Sequence, residues 1–180
     1  HALFAAGGPG LVLALSLLFL KDPPRGQFDD EKEPTTNLAL REIAGRLWKN
    51  RTYIFTVAGY IAYTFVVGGV SFWMPAYLLR FFQMELSTAN MVFGGITVVA
   101  GLMGTLVGGA WADRRLKKDP HAYLKISGLS AVIAAVAFVL VLIMRDLWAV
   151  MTLIFVLEFF LFLSTSPINA QIVNCVPVSY

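Results

Sequence analysis

The residues from 147 to 170 read LWAVMTLIFVLEFFLFLSTSPINA, and one side chain among them ionises, that of Glu158. A carboxyl in so apolar a run has two uses: it exchanges a proton, or it holds a cationic group. Placing it in hydrocarbon costs roughly a few kcal/mol, which marks an intramembrane acid as a functional position by default. At about 100° per residue, Thr165 and Asn169 lie within roughly 20° of Glu158's direction around a helix axis. Pro167 stands between them and is expected to bend the last turn on the way to Asn169. Three polar groups therefore share one face of a Phe- and Leu-rich helix. That face is read either as a proton-coupling or substrate-binding site, or as a packing carboxyl neutralised by a basic residue on another helix. No Lys or Arg falls within the five apolar spans outlined below. The counter-charge is then a residue elsewhere, the substrate or a proton.

The elements that must position this face follow from composition. Hydrophobic residues make up 58% of the 180-residue chain and charged residues 14%, against roughly 45–50% and about 25% in soluble domains. Runs of about 20 apolar residues match the roughly 30 Å hydrocarbon thickness. No run shows the period-2 alternation of barrel strands. The fold class is all-α, a polytopic membrane protein. Spans are expected over residues 3–20, 53–79, 91–112, 126–144 and 147–170. The first is interrupted by Gly7-Gly8-Pro9-Gly10; both ends of the chain read as continuing into a longer protein. Residues 21–52 form a polar connector, within which Leu38, Leu40, Ile43, Leu47 and Trp48 recur at helical spacing among basic residues. This pattern predicts an amphipathic helix at the headgroups or packed on protein.

The second span carries Tyr60, Tyr63, Thr64 and Ser71 together with Gly59, Gly68, Gly69 and Pro75. Trp73 and Tyr77 suit an aromatic belt at the interface. A loop over residues 80–90 leads to the third span. There Gly94, Thr97, Gly101, Gly104, Gly108 and Ala112 repeat at spacings of three and four, a face that admits another helix at close range. Gly128, Ala131 and Ala135 predict a second small face on the fourth span. Of the fourteen Lys and Arg residues, seven fall in the 21–52 connector and five in residues 113–125. The positive-inside rule makes those two segments cytoplasmic. The sequon Asn50-Arg51-Thr52 then lies on the wrong side for glycosylation and is read as chance. Cys175 is the sole cysteine, so no internal disulfide framework is expected.

Signals of enzyme chemistry are nearly absent. His1 and His121 are the two histidines, one terminal and one in a loop, and no metal cluster, nucleophile elbow or phosphate loop is present. No cofactor, metal or nucleic-acid partner is expected.

The strongest motif is Gly109-Ala110-Trp111-Ala112-Asp113-Arg114-Arg115-Leu116-Lys117-Lys118. It resembles the cytoplasmic loop signature of the major facilitator superfamily, with Leu116 where a glycine is usual. Asp22-Pro23-Pro24-Arg25-Gly26, Phe72-Trp73-x-Pro75-x-x-Leu78-Leu79-Arg80 and Phe93-Gly94-x-Ile96-Thr97 resemble the Spinster family within it. The resemblance implies a partial major facilitator fold, five transmembrane helices of an expected twelve. Residues 1–20 would be helix six, 21–52 the central cytoplasmic loop and 53–180 helices seven to ten. It implies a secondary active transporter, proton-coupled, moving a lysolipid, a sphingolipid-like lipid or an organic anion by alternating access. Glu158, Thr165 and Asn169 would be coupling or substrate residues, with Tyr60 and Tyr63 lining the cavity. Gly109, Asp113, Arg114 and Arg115 would form a cytoplasmic gate, in which Asp113 meets the amides at a neighbouring helix end and Arg114 reaches an acid across the domain gap. Gly68, Gly69 and Pro75 would form an outer hinge. The implied partners are membrane lipids, a small amphipathic substrate and the amino-terminal half of the same transporter; the implied location is the cell's inner (plasma) membrane. The alternatives are a facilitator for sugars or small organic anions, and a binding or scaffold protein that keeps the fold without transporting.

Overall fold

The computed structural model describes residues 40–175, together with positions 7, 10, 14–17 and 19. The chain divides into two compact units, residues 1–36 with Ser179 and residues 37–178 with Tyr180. In the first unit residues 14–17 are helical. The rest of the expected first span, and the connector through residue 39, lie outside the described residues.

The second unit consists of five helices: α1 (Leu40–Lys49), α2 (Arg51–Phe82), α3 (Leu86–Leu116), α4 (Ala122–Ile143) and α5 (Leu147–Asn174). The last four are long and apolar enough to cross a membrane, and no strand occurs among the described residues. Helix α1 is the expected amphipathic segment: Ile43 and Leu47 are half-buried and Trp48 is exposed. Its exposed Glu42–Arg46 pair, 3.0 Å apart one turn away, contributes little to stability.

The spans are longer than hydropathy predicts. Helix α2 has 32 residues and α3 has 31, each about 45–48 Å at 1.5 Å per residue. Both therefore extend past the hydrocarbon, and their ends carry the polar residues that read as loop. The expected 80–90 loop contracts to Gln83-Met84-Glu85. Gln83 ends α2 in the left-handed region, φ 53° and ψ 30°, a conformation that glycine usually fills at this position. Its side-chain amide donates to the Arg80 carbonyl at 3.0 Å. Side chains also start two helices: Asn50 Oδ1 accepts from the Tyr53 amide at 3.2 Å, and Asp146 Oδ2 from the Ala149 amide at 2.8 Å.

Helix α5 is the centre of this unit, packed extensively against α3 and α4 and more sparsely against α2. Leu78, Ala89, Val141 and Ile154, one from each long helix, meet in a cluster towards the end that holds the α2–α3 turn. A smaller cluster of Ala112, Tyr123, Ile126 and Leu163 closes the opposite end. The small face expected on α4 lies uncovered among the described residues. Gly128, Ala131 and Ala135 are exposed, whereas Ile126, Ser130, Ala134, Ala137 and Val141 are buried. Helix α4 carries small residues on two sides, and only the shape of α5 selects between them.

Candidate functional site: a buried acid among four helices

Glu158 lies about two and a half turns before Pro167, on the part of α5 that neighbouring helices cover, and is 2% exposed. Among the described residues its carboxyl has no hydrogen-bond or ion-pair partner. The sequence-predicted residues around it separate into two groups. Thr165 and Tyr63 come together, the Tyr63 hydroxyl standing 2.6 Å from Thr165 Oγ1. This bond links α2 to α5 and keeps Tyr63 within electrostatic reach of Glu158. The Tyr60 ring stacks on Tyr63, with centroids 5.9 Å apart. Asn169 stands apart: it is exposed, and its amide donates to the Thr165 carbonyl of its own helix at 2.9 Å.

Helix α3 reaches α5 through the expected glycine face, and the contact is made at backbone level. A Cβ on Gly101 would touch the Phe162 ring at 3.4 Å, one on Gly104 would overlap the Phe159 carbonyl, and one on Gly108 would overlap the Leu163 carbonyl. A Cβ on Gly109 would sit 2.9 Å from Ser166 Oγ, a side-chain hydroxyl that can turn aside, so the constraint there is weaker. Gly94 faces open space. The Leu163 carbonyl is the one whose usual donor, the amide four residues on, is missing because residue 167 is proline. Helix α5 nevertheless runs on through Pro167, which is buried, to Asn174.

At the end of α3 Asp113 meets the neighbouring helix α4. Its Oδ1 accepts from the Tyr123 hydroxyl at 2.9 Å, so it holds the first turn of α4 through a side chain and not through backbone amides. The short α3–α4 connection brings that phenol within reach. Arg114 and Arg115 are exposed, without an ion pair among the described residues. In the connection itself Asp119 takes a hydrogen bond from Lys125 and another from the His121 amide, and these hold its carboxyl below the usual carboxylate range. Gly68 and Gly69 meet nothing where a Cβ would stand, and Pro75 is buried within an uninterrupted α2. No group that could hold a metal occurs among the described residues.

An apolar cleft of about 840 Å³ opens between α2, α4 and α5. Tyr63, Trp73, Tyr77 and Arg80 are the lining residues with polar side-chain groups, and Leu157 and Leu161 form its α5 wall; Glu158 and Tyr60 do not line it.

Helices of this length arranged around α5, with the Asp-Arg turn joining α3 to α4, have a counterpart among known proteins. The family model described as Major Facilitator Superfamily matches residues 1–180. The chain belongs to the major facilitator superfamily. It is thus a multi-pass integral membrane protein of a transporter family. Its relatives include the Spinster proteins. "Probable sphingolipid transporter spinster homolog 3" of Arabidopsis thaliana is 33% identical over 136 residues, 74% of this chain and 26% of that protein. "Protein spinster homolog 1" of Xenopus tropicalis is 34% identical over 134 residues, 67% of this chain and 26% of the relative. "Protein spinster homolog 3" of Mus musculus is 31% identical over 151 residues, 76% of this chain and 29% of the relative. The chain spans about a quarter of the length of these curated relatives.

Three structural residues escape a sequence reading. Asn50, dismissed as part of a chance sequon, caps α2 and donates to the Cys175 carbonyl at 3.2 Å, tying the start of α2 to the end of α5. An Asn directly before a helix was the available signal. The Tyr77 hydroxyl, expected at the interface, donates to the Val141 carbonyl near the end of α4 at 2.9 Å. Thr97, counted only as a small residue, carries a buried hydroxyl without a partner among the described residues.

Proposed function

We propose that the chain is part of a proton-coupled secondary transporter of the Spinster type, in which Glu158 takes up and releases the coupling proton. The observation that carries this reading is the burial of Glu158 without a cation or hydrogen-bond donor beside it among the described residues. An acid in that setting is retained at a cost that packing alone does not offset, and exchange of its proton changes what the surrounding helices tolerate. Thr165 and Tyr63 extend the polar path from Glu158 towards the Asp113 end of the bundle, with Tyr60 stacked beside it. Asn169 continues the path at the exposed end of α5.

The Arabidopsis relatives are named probable sphingolipid transporters, which supports a sphingolipid-like amphipathic substrate. Asp113, Arg114 and Arg115 would act in a gate at the end where the basic residues collect, with Gly109 letting α3 pass Ser166 closely. That end is assigned to the cytoplasm by its charge. Gly68, Gly69 and Pro75 would serve as a hinge in α2, where Pro75 removes one backbone hydrogen bond and the two glycines have open space around them. Residues 21–52 would link the two halves, with the other half closing the cavity.

The test is uptake of a labelled lysosphingolipid into proteoliposomes by the complete carrier, with and without a pH gradient. Glu158→Gln is expected to lower gradient-driven uptake at least about ten-fold, equivalent to about 1.4 kcal/mol on the limiting step. Unchanged uptake with unchanged pH dependence would remove Glu158 from the coupling mechanism.

A further inference from the structure

Hydroxyls in these helices commonly bond to their own backbone. The buried Thr56, Ser130 and Ser164, and the exposed Thr64 and Thr152, each donate to a carbonyl three or four residues earlier. Thr97 does not: its buried Oγ1 has no partner among the described residues, a state it shares with Ser127 alone. A hydroxyl kept out of water and off its own helix is costly, and each such case asks for a reason.

Its place in the bundle supplies one. Helices α3 and α5 run parallel, because Gly101 meets Phe162 while Gly108 meets Leu163 and Gly109 meets Ser166. Stepping back one turn from the Gly101–Phe162 contact leads to Thr97 on α3 and Glu158 on α5. A second route gives the same level. The Tyr63–Thr165 bond sets α2 antiparallel to α5, so Val70, seven residues after Tyr63, is level with Glu158, seven before Thr165. The three-residue turn at Gln83–Glu85 folds α3 back along α2 and brings Thr97 level with Val70. Around its own axis Thr97 lies within roughly 40° of Gly101, Gly104 and Gly108, the face that abuts α5. Ser127 follows Ile126, which belongs to the cluster with Ala112 and Leu163 at the other end.

We infer that Thr97 is the positioning residue for Glu158, its hydroxyl donating to the carboxylate and accepting from the protonated acid. A hydroxyl serves both protonation states, which a Lys, an Arg or a backbone amide cannot do. No competing charge intervenes. Tyr60 and Tyr63 are the only ionisable side chains of α2 between residues 54 and 76; α3 has none between 86 and 112, α4 none between 126 and 143, and α5 none besides Glu158. No hydrogen bond joins Thr97 to Glu158 in this structure; the inferred bond requires the Glu158 side chain, with its three torsions, to turn towards α3.

This inference rests on the proposed coupling role of Glu158, and the experiment separates the two. Uptake by the complete carrier is measured as a function of pH for wild type, Thr97→Val, Thr97→Ser, Glu158→Gln and the double variant Thr97→Val with Glu158→Gln. Valine keeps the shape and removes the hydroxyl, so the pH midpoint should move upward by about one unit, the loss of one charge-assisted bond. Serine restores the hydroxyl and the wild-type midpoint. In the Glu158→Gln background Thr97→Val should change nothing further. A wild-type midpoint in Thr97→Val, with Glu158→Gln insensitive to pH, overturns the role of Thr97 and leaves that of Glu158 intact. Wild-type pH dependence in Glu158→Gln overturns both. The midpoint does not depend on how much protein inserts, and Thr97→Ala provides a second test should valine prevent insertion.

Discussion

Replacing Gly108 by alanine tests whether α3 and α5 are held at backbone contact. The added Cβ would overlap the Leu163 carbonyl oxygen, and would stand 2.8 Å from its carbon and 3.0 Å from Leu163 Cα. Carbon atoms normally rest about 3.5–4.0 Å apart and the overlapped oxygen needs still more relief, so the helices must separate by roughly 1 Å or more at this point, and a gap of about 0.5–1 Å already forfeits a quarter to a half of each contact's attraction. No side-chain rotation relieves the clash, because the obstructing atoms are main chain. The Phe162 ring, packed where a Gly101 Cβ would meet it at 3.4 Å, loses contact in the same movement. Overpacking of this kind costs about 1–3 kcal/mol, equivalent to a fall in melting temperature of about 3–10 °C for a unit of this size. Thermal unfolding of the purified protein in detergent, followed by loss of the monodisperse peak, measures it. Gly128→Ala, at a position facing open space, provides the control and should be neutral or slightly stabilising through helix propensity. The combination of Gly104→Ala with Gly108→Ala should cost less than the sum of the two, since one separation relieves both overlaps. Equal melting temperatures for Gly108→Ala and Gly128→Ala would refute the close-contact account.

Removing the Tyr63 hydroxyl with phenylalanine should cost about 0.5–1.5 kcal/mol and Thr165→Val a similar amount, with the double variant no worse than either; additive losses in the same melting assay would mean that the 2.6 Å bond is not what joins α2 to α5. The Asp119 turn makes a prediction in pH. Its carboxyl titrates below the ordinary value of 3.8 through the Lys125 and His121 bonds. The depressed group favours the folded state above that value, and its contribution disappears as pH falls through the lowered one. Wild type and Asp119→Asn should therefore differ in melting temperature at neutral pH and converge below about pH 3.8; a difference that persists in acid counts against the pairing.

What the sequence reveals and what it hides divide along physical lines. Glu158 was legible because a charge in an apolar run is conspicuous in one dimension, and the glycine face of α3 was legible because its spacing repeats. Tyr63 and Thr165 were each visible, but their pairing required the antiparallel register of α2 on α5. The residues from 80 to 90 read as a loop because hydropathy reports what enters hydrocarbon, whereas backbone hydrogen bonding continues the helices to Phe82 and from Leu86. On α4 the choice between two small faces belongs to the partner helix. Thr97 was hidden because a threonine in a helix ordinarily bonds to its own backbone, and whether it does so depends on side-chain torsions that no spacing records. Asp113 was legible as a helix-end contact, but its choice of the Tyr123 phenol depends on the tightness of the α3–α4 connection.

The meeting of Gly108 with the carbonyl that Pro167 frees also bears on the order in which the protein is made. Synthesis places α3 in the bilayer before α5, so a docking partner is waiting when Leu163 and Pro167 enter. A lone α5 would expose an uncovered carbonyl to lipid, at several kcal/mol for a polar group left unsatisfied there. Once α3 is alongside, the glycine lets a Cα hydrogen approach that oxygen and cover it. The proline thus leaves α5 with a carbonyl that its own backbone does not serve, and the glycine opposite is what lets α3 come close enough to cover it.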